Sequence, residues 1–337
     1  MKPTELEEFL KTYSREFFKP DQSNDELPPA LFVWGPPGIG KSSIIRQVTE
    51  SLNIDFVDIR MLIYDPTDLR GIPVPDDGQA KWLPASILPS KDGKGIILYD
   101  ELNCAPVLVA NSALQLILDR KLDEYTLPKG YVQIAAGNRE NEAFVHKLSP
   151  PLLNRFVHIN LDLDVDDWAV WAMKQGIRPE IVGFIQWRPE LLFKFDPAKH
   201  ERSFPTPRTY KFASKLLDFT PEPMLLEMMG GAIGGGAAVE FLAFTKTFNK
   251  IPDIKKILEG EDNTVPDGID VKYALISALA SSATEKHCNR LLKYSYNLPK
   301  EFATVLVKLL LGKLGRPTLE KTPEWSKWAR EFISVIK

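Results

Sequence analysis

Residues 35–42 carry the strongest chemical pattern in the chain. They read Gly35-Pro36-Pro37-Gly38-Ile39-Gly40-Lys41-Ser42, which matches the phosphate-binding pattern G-x-x-x-x-G-K-[ST]. Glycines let successive backbone N–H groups point into one loop, and the N-terminus of a following helix adds a dipole that favours anions. Lys41 is predicted to reach the β- and γ-phosphates of a nucleotide, and the Ser42 hydroxyl to bind Mg²⁺. The predicted nucleotide-binding segment runs from Gly35 through Ser43.

Two adjacent carboxylates follow the apolar run at residues 96–99. The carboxyl ends of strands are where α/β sheets bind ligands. Asp100 is predicted to hold Mg²⁺, directly or through water, and Glu101 to polarise the attacking water as a general base. Taken alone, an Asp-Glu pair after a strand can equally be the start of a helix. The phosphate-binding pattern upstream favours the catalytic interpretation.

Asn138 follows one later apolar run, and Arg155 precedes another. Asn138 follows a run of small residues at 132–136, where its amide could orient the lytic water or contact the γ-phosphate. The competing interpretation is an ordinary Gly-Asn turn. Arg155 precedes the run at 157–161 and suits an arginine finger that reaches the γ-phosphate of a neighbouring subunit. The competing interpretation of Arg155 is a surface salt bridge.

Arg208 is placed against a local preference. Thr206 can cap a helix whose first position is Pro207, so Arg208 lies in the first turn, where the helix dipole disfavours a cation. Contact with a bound phosphate would explain this placement. The alternative is an ordinary exposed arginine.

The elements that must position these residues follow a regular order. Apolar runs predict strands at 31–34, 56–59, 96–99, 132–136 and 157–161. Helical periods alternate with them at 41–52 and 107–118, which predicts an α/β fold with a mostly parallel sheet. Residues 65–94 are rich in Pro, Asp and Gly and are predicted to be irregular.

The chain beyond residue 161 is predicted to be all helical. The predicted helices span 164–175, 178–187, 207–218, 222–230, 236–248, 271–281 and 299–312, with a final docking helix over 323–337. The aromatic residues of 168–195 are predicted to be core or lid packing. The glycines at 230–236 are predicted to allow close helix packing or to mark a helix boundary. We therefore predict three domains, at residues 1–161, 162–250 and 251–337.

Composition limits the classes of function. The 337 residues carry a net charge of −3, with a pI near 5.9, so no overall attraction to a nucleic-acid backbone is expected. Two cysteines, Cys104 and Cys288, are too few for a disulfide framework. Residues 1–20 lack the apolar core of a signal peptide, and no run of about 18 apolar residues predicts membrane insertion. A cytoplasmic location is predicted.

The order of these motifs resembles the AAA+ ATPases, and among them the MoxR-type branch. Residues 99–106, Tyr-Asp-Glu-Leu-Asn-Cys-Ala-Pro, are similar to that branch's Asp-Glu-Ile-Asn-Arg-Ala-Pro segment, and residues 111–115 to its Gln-Ser-Ala-Leu-Leu helix. Asp68-Leu69-Arg70-Gly71 resembles its Asp-Leu-Leu-Gly turn. The resemblance covers roughly residues 28–245. Cys104 replaces the usual arginine, and residues 136–139, Ala-Gly-Asn-Arg, replace the usual Thr-Gln-Asn-Pro, which indicates a divergent subgroup.

The resemblance implies an ATP-hydrolysing ring, usually a hexamer, that remodels or matures a protein partner in a chaperone-like way. It implies a P-loop NTPase domain followed by an all-helical lid, with ATP and Mg²⁺ as ligands. It assigns Asn138 to the first sensor position, Arg155 to the finger that acts in trans, and Arg208 to the second sensor. Partners in this family often carry a von Willebrand factor A domain. Trp82, in the Pro/Gly-rich passage, is hypothesised to lie near the ring axis.

Two other functions share the nucleotide-site residues. An AAA+ motor acting on nucleic acid, such as an McrB-like translocase or a helicase loader, would use the same groups, although the acidic balance and the lack of a nucleic-acid module count against it. A non-hydrolysing nucleotide switch would have less need of Glu101 and Arg155. The sequence therefore predicts an ATPase whose partner is a protein rather than a nucleic acid.

Overall fold

The computed structural model describes residues 1–19, 27–90, 92–139, 148–196 and 201–336, with the side chains of 333–336 left aside. The chain divides into two compact units, Met1–Leu163 and Asp164–Lys337. Residues 251–337 belong to the same unit as 164–250, and the division into three domains stays a prediction. In these ranges no helix combines the length and the apolar character needed to cross a membrane.

The first unit is built on strands that alternate with helices. In chain order its elements are α1 Pro3–Phe17, β1 Ala30–Trp34, α2 Lys41–Leu52, β2 Asp55–Arg60, α3 Pro66–Arg70, β3 Ile72–Asp76, β4 Gln79–Leu83, β5 Gly95–Asp100, α4 Val107–Asp119, β6 Lys121–Leu122, β7 Tyr125–Thr126, β8 Tyr131–Gly137, α5 Pro150–Leu153 and β9 Phe156–Asn160.

The central sheet has five parallel strands in the order β2-β5-β8-β1-β9. Its middle strands are mostly apolar, because helices cover both faces of a parallel sheet: every residue of β8 is buried, Gln133 included, as are residues 31–33 of β1. The five predicted strands and the α/β fold class are confirmed. In this order, β1 and β8 lie side by side, so the loops that follow them meet at one edge.

The prediction that residues 65–94 are irregular is wrong. The passage contains the short helix α3 and the antiparallel hairpin β3–β4. Pro73 and Pro75 obscured the strand pattern of β3. The turn itself was signalled by Asp77-Gly78, where both residues have positive φ, 47° and 80°, as a tight hairpin turn requires. The helix α1 and the small hairpin β6–β7 were also not predicted.

The second unit is helical, as predicted. Its helices are α6 Val165–Lys174, α7 Pro179–Trp187, α8 Pro207–Leu217, α9 Leu225–Ile233, α10 Gly235–Thr245, α11 Ile254–Glu259, α12 Ile269–Ser282, α13 Cys288–Ser295, α14 Lys300–Leu314, α15 Arg316–Glu320 and α16 Trp325–Ile336. Of these, α11, α13 and α15 were not predicted.

The core of the second unit contains part of the aromatic set that the sequence singled out, whereas Trp171 and Trp187 are only half-buried. Trp168 and Phe184 are buried, and Trp328 and Phe332 bury one face of α16. Gly234, with a φ of 82°, separates α9 from α10. The glycine cluster is therefore a helix boundary, as predicted.

Candidate active site

The phosphate-binding pattern forms a tight turn between β1 and α2. Gly38 and Gly40 have φ values of 80° and 103°, a region that residues with a Cβ rarely adopt. Gly40 is the N-cap of α2, and no side chain caps that helix. The first amides of α2 therefore lack an intrahelical partner and face the turn, which suits an anion such as a phosphate.

The Lys41 ammonium is held inside this turn. It is 8% exposed, and it donates hydrogen bonds to the carbonyl oxygens of Gly35 at 2.6 Å and Pro36 at 3.0 Å. A third hydrogen bond, also 3.0 Å, goes to Oδ1 of Asn138 at the end of β8. Oxygen atoms thus surround a buried cation, and a phosphate oxygen entering the loop would bind this same ammonium.

Ser42 and Asp100 meet at the next position along the sheet edge. The Ser42 hydroxyl donates to Oδ2 of Asp100 at 2.7 Å. Mg²⁺ prefers oxygen ligands and usually takes one or two from the protein, with phosphates and water completing the shell. A hydroxyl and a carboxylate at one point fit that donor set. Ser42 and Asp100 are therefore the residues that would hold the metal beside a bound nucleotide.

Asp58 adds a second negative charge close to Asp100. It lies on β2, and its pKa is raised by burial and, to a smaller extent, by the nearby charge of Asp100. Arg46 and Arg60 partly offset this effect, with nitrogen–oxygen distances of 3.1 and 3.7 Å to the carboxylate. No sequence pattern singles out Asp58, because only the pairing of β2 with β5 brings it near Asp100.

Glu101 has a strained backbone. Its φ is 58°, in the left-handed region, where a residue other than glycine is disfavoured by roughly 1–3 kcal/mol. Its side chain is exposed at the carboxyl edge of the sheet. Strain of this kind is found where the surrounding structure holds a functional group in a required position. No sequence signal predicts it, because Gly or Asn would be the usual residue there.

Asn138 lies between the phosphate loop and the turn that follows β5. It is 8% exposed; its Oδ1 accepts from Lys41, and its Nδ2 lies 3.6 Å from the sulfur of Cys104. Burial raises the pKa of the Cys104 thiol, and the hydrogen bond from Asn138 partly opposes this effect. Cys104 therefore contacts the residue that the sequence predicted as the first sensor.

Asn103 is a buried residue of this site to which the sequence assigned no role. Its amide makes two hydrogen bonds to the backbone of Asn138, at 2.6 and 3.1 Å. The signal that could have found it is an amide placed two residues after Glu101, together with Gly137 in the neighbouring strand.

Arg155 lies at the amino ends of the strands, whereas the phosphate loop lies at their carboxyl ends. It follows α5 and directly precedes β9, whose first residue, Phe156, pairs with Ala30 at the start of β1. The phosphate loop begins after Trp34 at the other end of β1, about 13 Å away along the strand. The Arg155 side chain is exposed. The first unit therefore does not bring Arg155 together with Lys41, Ser42, Asp100 and Asn138.

Arg208 belongs to the second unit. Thr206 is the N-cap of α8, its hydroxyl accepting from the Thr209 N–H at 3.1 Å, and Pro207 is the first helical residue. Arg208 is exposed in the first turn. Its predicted contact with phosphate stays a prediction.

Comparison with known proteins identifies the domain that carries this site. Residues 30–156 match the AAA domain family described as the dynein-related subfamily. An AAA-ATPase of Arabidopsis thaliana is 29% identical over 122 residues, which is 36% of this chain and 19% of that relative's length. The chain thus matches about a fifth of the relative.

Solved structures similar to the chain include variants of RuvB from Thermotoga maritima. One is 16% identical with a TM-score of 0.40, covering 97% of this chain and 94% of that one. Another is 17% identical with a TM-score of 0.40, covering 83% and 80%. Residues 30–156 therefore match an AAA ATPase domain, and the geometry above fits the binding of a nucleotide.

Proposed function

We propose that this AAA+ ATPase is a ring-forming motor of the MoxR type, in which hydrolysis of Mg²⁺-bound ATP drives the remodelling of a protein partner in the cytoplasm. A hexamer is the expected ring, and a protein with a von Willebrand factor A domain is the expected kind of partner.

The opposite placement of Arg155 and the phosphate loop is the observation that carries this proposal. An exposed arginine about 13 Å from the loop along β1 cannot reach a γ-phosphate bound in its own chain. It can reach the nucleotide of a neighbour in a closed ring, where each subunit presents the same two surfaces to its neighbours. There it would stabilise the charge of the transition state.

The remaining roles follow from the contacts at the carboxyl edge. The amides of the phosphate loop and Lys41 bind the phosphates, while Ser42 and Asp100 would hold Mg²⁺, which would supply positive charge beside the phosphates. Glu101 accepts a proton from the attacking water. Asn138 orients that water or the γ-phosphate. The second-sensor role proposed for Arg208 rests on the family resemblance alone.

Two hairpins of the first unit favour a protein partner over a nucleic acid. Hairpin β3–β4 has two aspartates and one lysine, and hairpin β6–β7 has one aspartate, one glutamate and one lysine, so each carries a net charge of −1. Negative hairpins would repel a phosphate backbone. Hairpin β3–β4 also exposes apolar side chains, with Ile72 at 61% and Leu83 at 48%.

Arg70 connects the two hairpins. Its guanidinium makes two hydrogen bonds to the Asp123 carboxylate, at 2.9 and 2.8 Å, and lies 5.0 Å from the ring centroid of Trp82. The ion pair lowers the pKa of Asp123 and raises that of Arg70. Arg70 therefore joins the two hairpins beside Trp82, and this part of the surface is the proposed contact with the protein partner.

Mixing two inactive variants tests the ring. Glu101→Gln and Arg155→Ala should each reduce ATP turnover to below about 1% of wild type. A 1:1 mixture should regain turnover, because an Arg155→Ala subunit keeps Glu101 and can receive Arg155 from a Glu101→Gln neighbour. Wild-type turnover per subunit should also rise with protein concentration. Turnover that is independent of concentration and unchanged in Arg155→Ala would contradict the ring and leave only an ATPase domain.

Stimulation of turnover distinguishes the partner classes. A carboxymethylated, unfolded polypeptide should accelerate turnover in wild type, whereas Trp82→Ala should keep the basal rate and lose most of the acceleration. A 40-nucleotide single strand should have little effect. Acceleration by the DNA that disappears between 50 and 200 mM salt would instead favour the nucleic-acid motor.

A further inference from the structure

One buried amide ties together the two polar loops at the carboxyl edge of the sheet. Asn103 is 2% exposed and lies in the turn between β5 and α4, two residues after Glu101. Its Nδ2 donates to the carbonyl oxygen of Asn138 at 2.6 Å, and its Oδ1 accepts from the N–H of Asn138 at 3.1 Å. A single side chain thus satisfies both backbone polar groups of Asn138, which would otherwise be buried without these partners.

The space for this amide exists because residue 137 is glycine. A Cβ on Gly137 would lie 2.5 Å from Oδ1 of Asn103 and 2.8 Å from a ring carbon of Phe32, both closer than a real Cβ contact. The carbonyl of Gly137 also accepts the N–H of Gly35 at 3.2 Å. The end of β8 is therefore bonded to the phosphate loop on one side and to the loop after Glu101 on the other.

The Asn138 side chain depends on this arrangement. With its backbone held by two hydrogen bonds, the Cα–Cβ direction of Asn138 is set, and Oδ1 reaches Lys41 at 3.0 Å. We propose that Asn103 is a positioning residue that holds the backbone of Asn138 so that its amide stays directed at Lys41 and the γ-phosphate. This inference rests on the proposed function, which places Asn138 at the γ-phosphate.

The first test separates positioning from nucleotide binding. Asn103→Ala should lower kcat for ATP about ten- to a hundredfold, because a shift of about 1 Å in a positioned group costs up to that much. The KM and the Kd of a fluorescent ATP analogue should stay within threefold of wild type, since the hydrogen bonds of Asn103 to the site run to Asn138 rather than to the phosphate loop. Full kcat in a folded Asn103→Ala protein would overturn the inference.

A double-mutant cycle shows whether Asn103 acts through Asn138. In an Asn138→Ala background the backbone clamp has no amide left to direct, so adding Asn103→Ala should change kcat by less than twofold. If the fold-loss of kcat in the double variant equalled the product of the two single losses, Asn103 would act by another route and the inference would be wrong. Should Asn103→Ala fail to fold, Asn103→Asp keeps the shape and replaces the donor with an oxygen facing the Asn138 carbonyl, and the same cycle applies.

Gln133, in strand β8 just before Asn138, offers a matched control. It is 5% exposed and its amide also makes two hydrogen bonds, accepting from the Tyr99 hydroxyl at 2.7 Å and donating to the Ile117 carbonyl at 3.3 Å. Gln133→Ala should lower Tm about as much as Asn103→Ala does, and should leave kcat within twofold of wild type. An equal loss of kcat in both variants would point to general destabilisation and overturn the inference. A wild-type protein without Mg²⁺-ATP turnover would instead refute the proposed function.

Discussion

The two edges of the central sheet hold their polar residues in opposite ways. At the carboxyl edge, Lys41, Asn103 and Asn138 are each at most 8% exposed and are linked by hydrogen bonds. At the amino edge, Arg155 is exposed on a short turn. Buried and bonded groups are positioned before any ligand arrives, whereas an exposed arginine is positioned only by what it binds. The first edge therefore resembles a complete binding site, and the second resembles half of an interface.

Removing the cation at the carboxyl edge should have the largest effect. Lys41→Ala deletes a buried ammonium that would make charge-assisted bonds to two phosphates, so kcat/KM for ATP should fall about 10³-fold. Binding of a fluorescent ATP analogue, followed by titration, should weaken together with turnover. Unchanged affinity in a folded variant would mean that the nucleotide does not bind in this loop.

Removing the arginine at the amino edge should separate binding from turnover. Arg155→Ala should lower kcat about 10³-fold, since an arginine finger acts mainly on the transition state. The affinity for ATP, measured by the same titration, should stay within threefold, because Arg155 does not belong to its own chain's loop. Arg155→Lys serves as a control: it keeps a positive charge but loses the planar fork, so little recovery is expected.

The strain at Glu101 gives a smaller effect, on stability rather than on turnover. Glycine tolerates a φ of 58° and alanine does not. Glu101→Gly should therefore be more stable than Glu101→Ala by about 1 kcal/mol, with both variants inactive. Urea unfolding of the two proteins measures this difference. Equal midpoints would mean that the turn relaxes at no cost.

The smallest effect concerns the thiol beside Asn138. Burial raises the pKa of Cys104, so at pH 8 less of it is thiolate than in a free cysteine, and iodoacetamide should react with it several-fold more slowly. The rate should keep rising as the pH passes 9. Cys288 is fully buried, so Cys104→Ser should abolish labelling of the native protein. Labelling as fast as that of a free thiol would show that the loop opens.

Most long helices and strands were predictable, the 15-residue α1 being an exception, whereas short elements were not. Strands β1 and β5 were found because an uninterrupted apolar run reports burial on both faces of a parallel sheet. Helix α2 was found because its apolar residues recur with a helical period. The elements α3, α5 and β6–β7 have five residues or fewer each, too short for a period to appear. Hairpin β3–β4 was missed because its prolines outweighed the turn signal of Asp77-Gly78.

The site divides in the same way. Lys41, Ser42, Asp100 and Glu101 were identified because backbone curvature, phosphate charge and metal chemistry restrict which residues can serve at those spacings. Asn103 and Asp58 were not, because each acts through a residue on a neighbouring strand. The distance in sequence between Asn103 and Asn138 carries no periodic signal.

The sequence by itself determined the chemistry of the phosphate loop, the pair of carboxylates and the alternation of strands with helices, since these depend on local geometry and on residue type. Only the tertiary structure decided that the backbone of Asn138 is bonded by Asn103, that Cys104 touches Asn138, and that Arg155 and the phosphate loop lie at opposite ends of the strands. Strand order and register decide these contacts, and they depend on how the whole core packs.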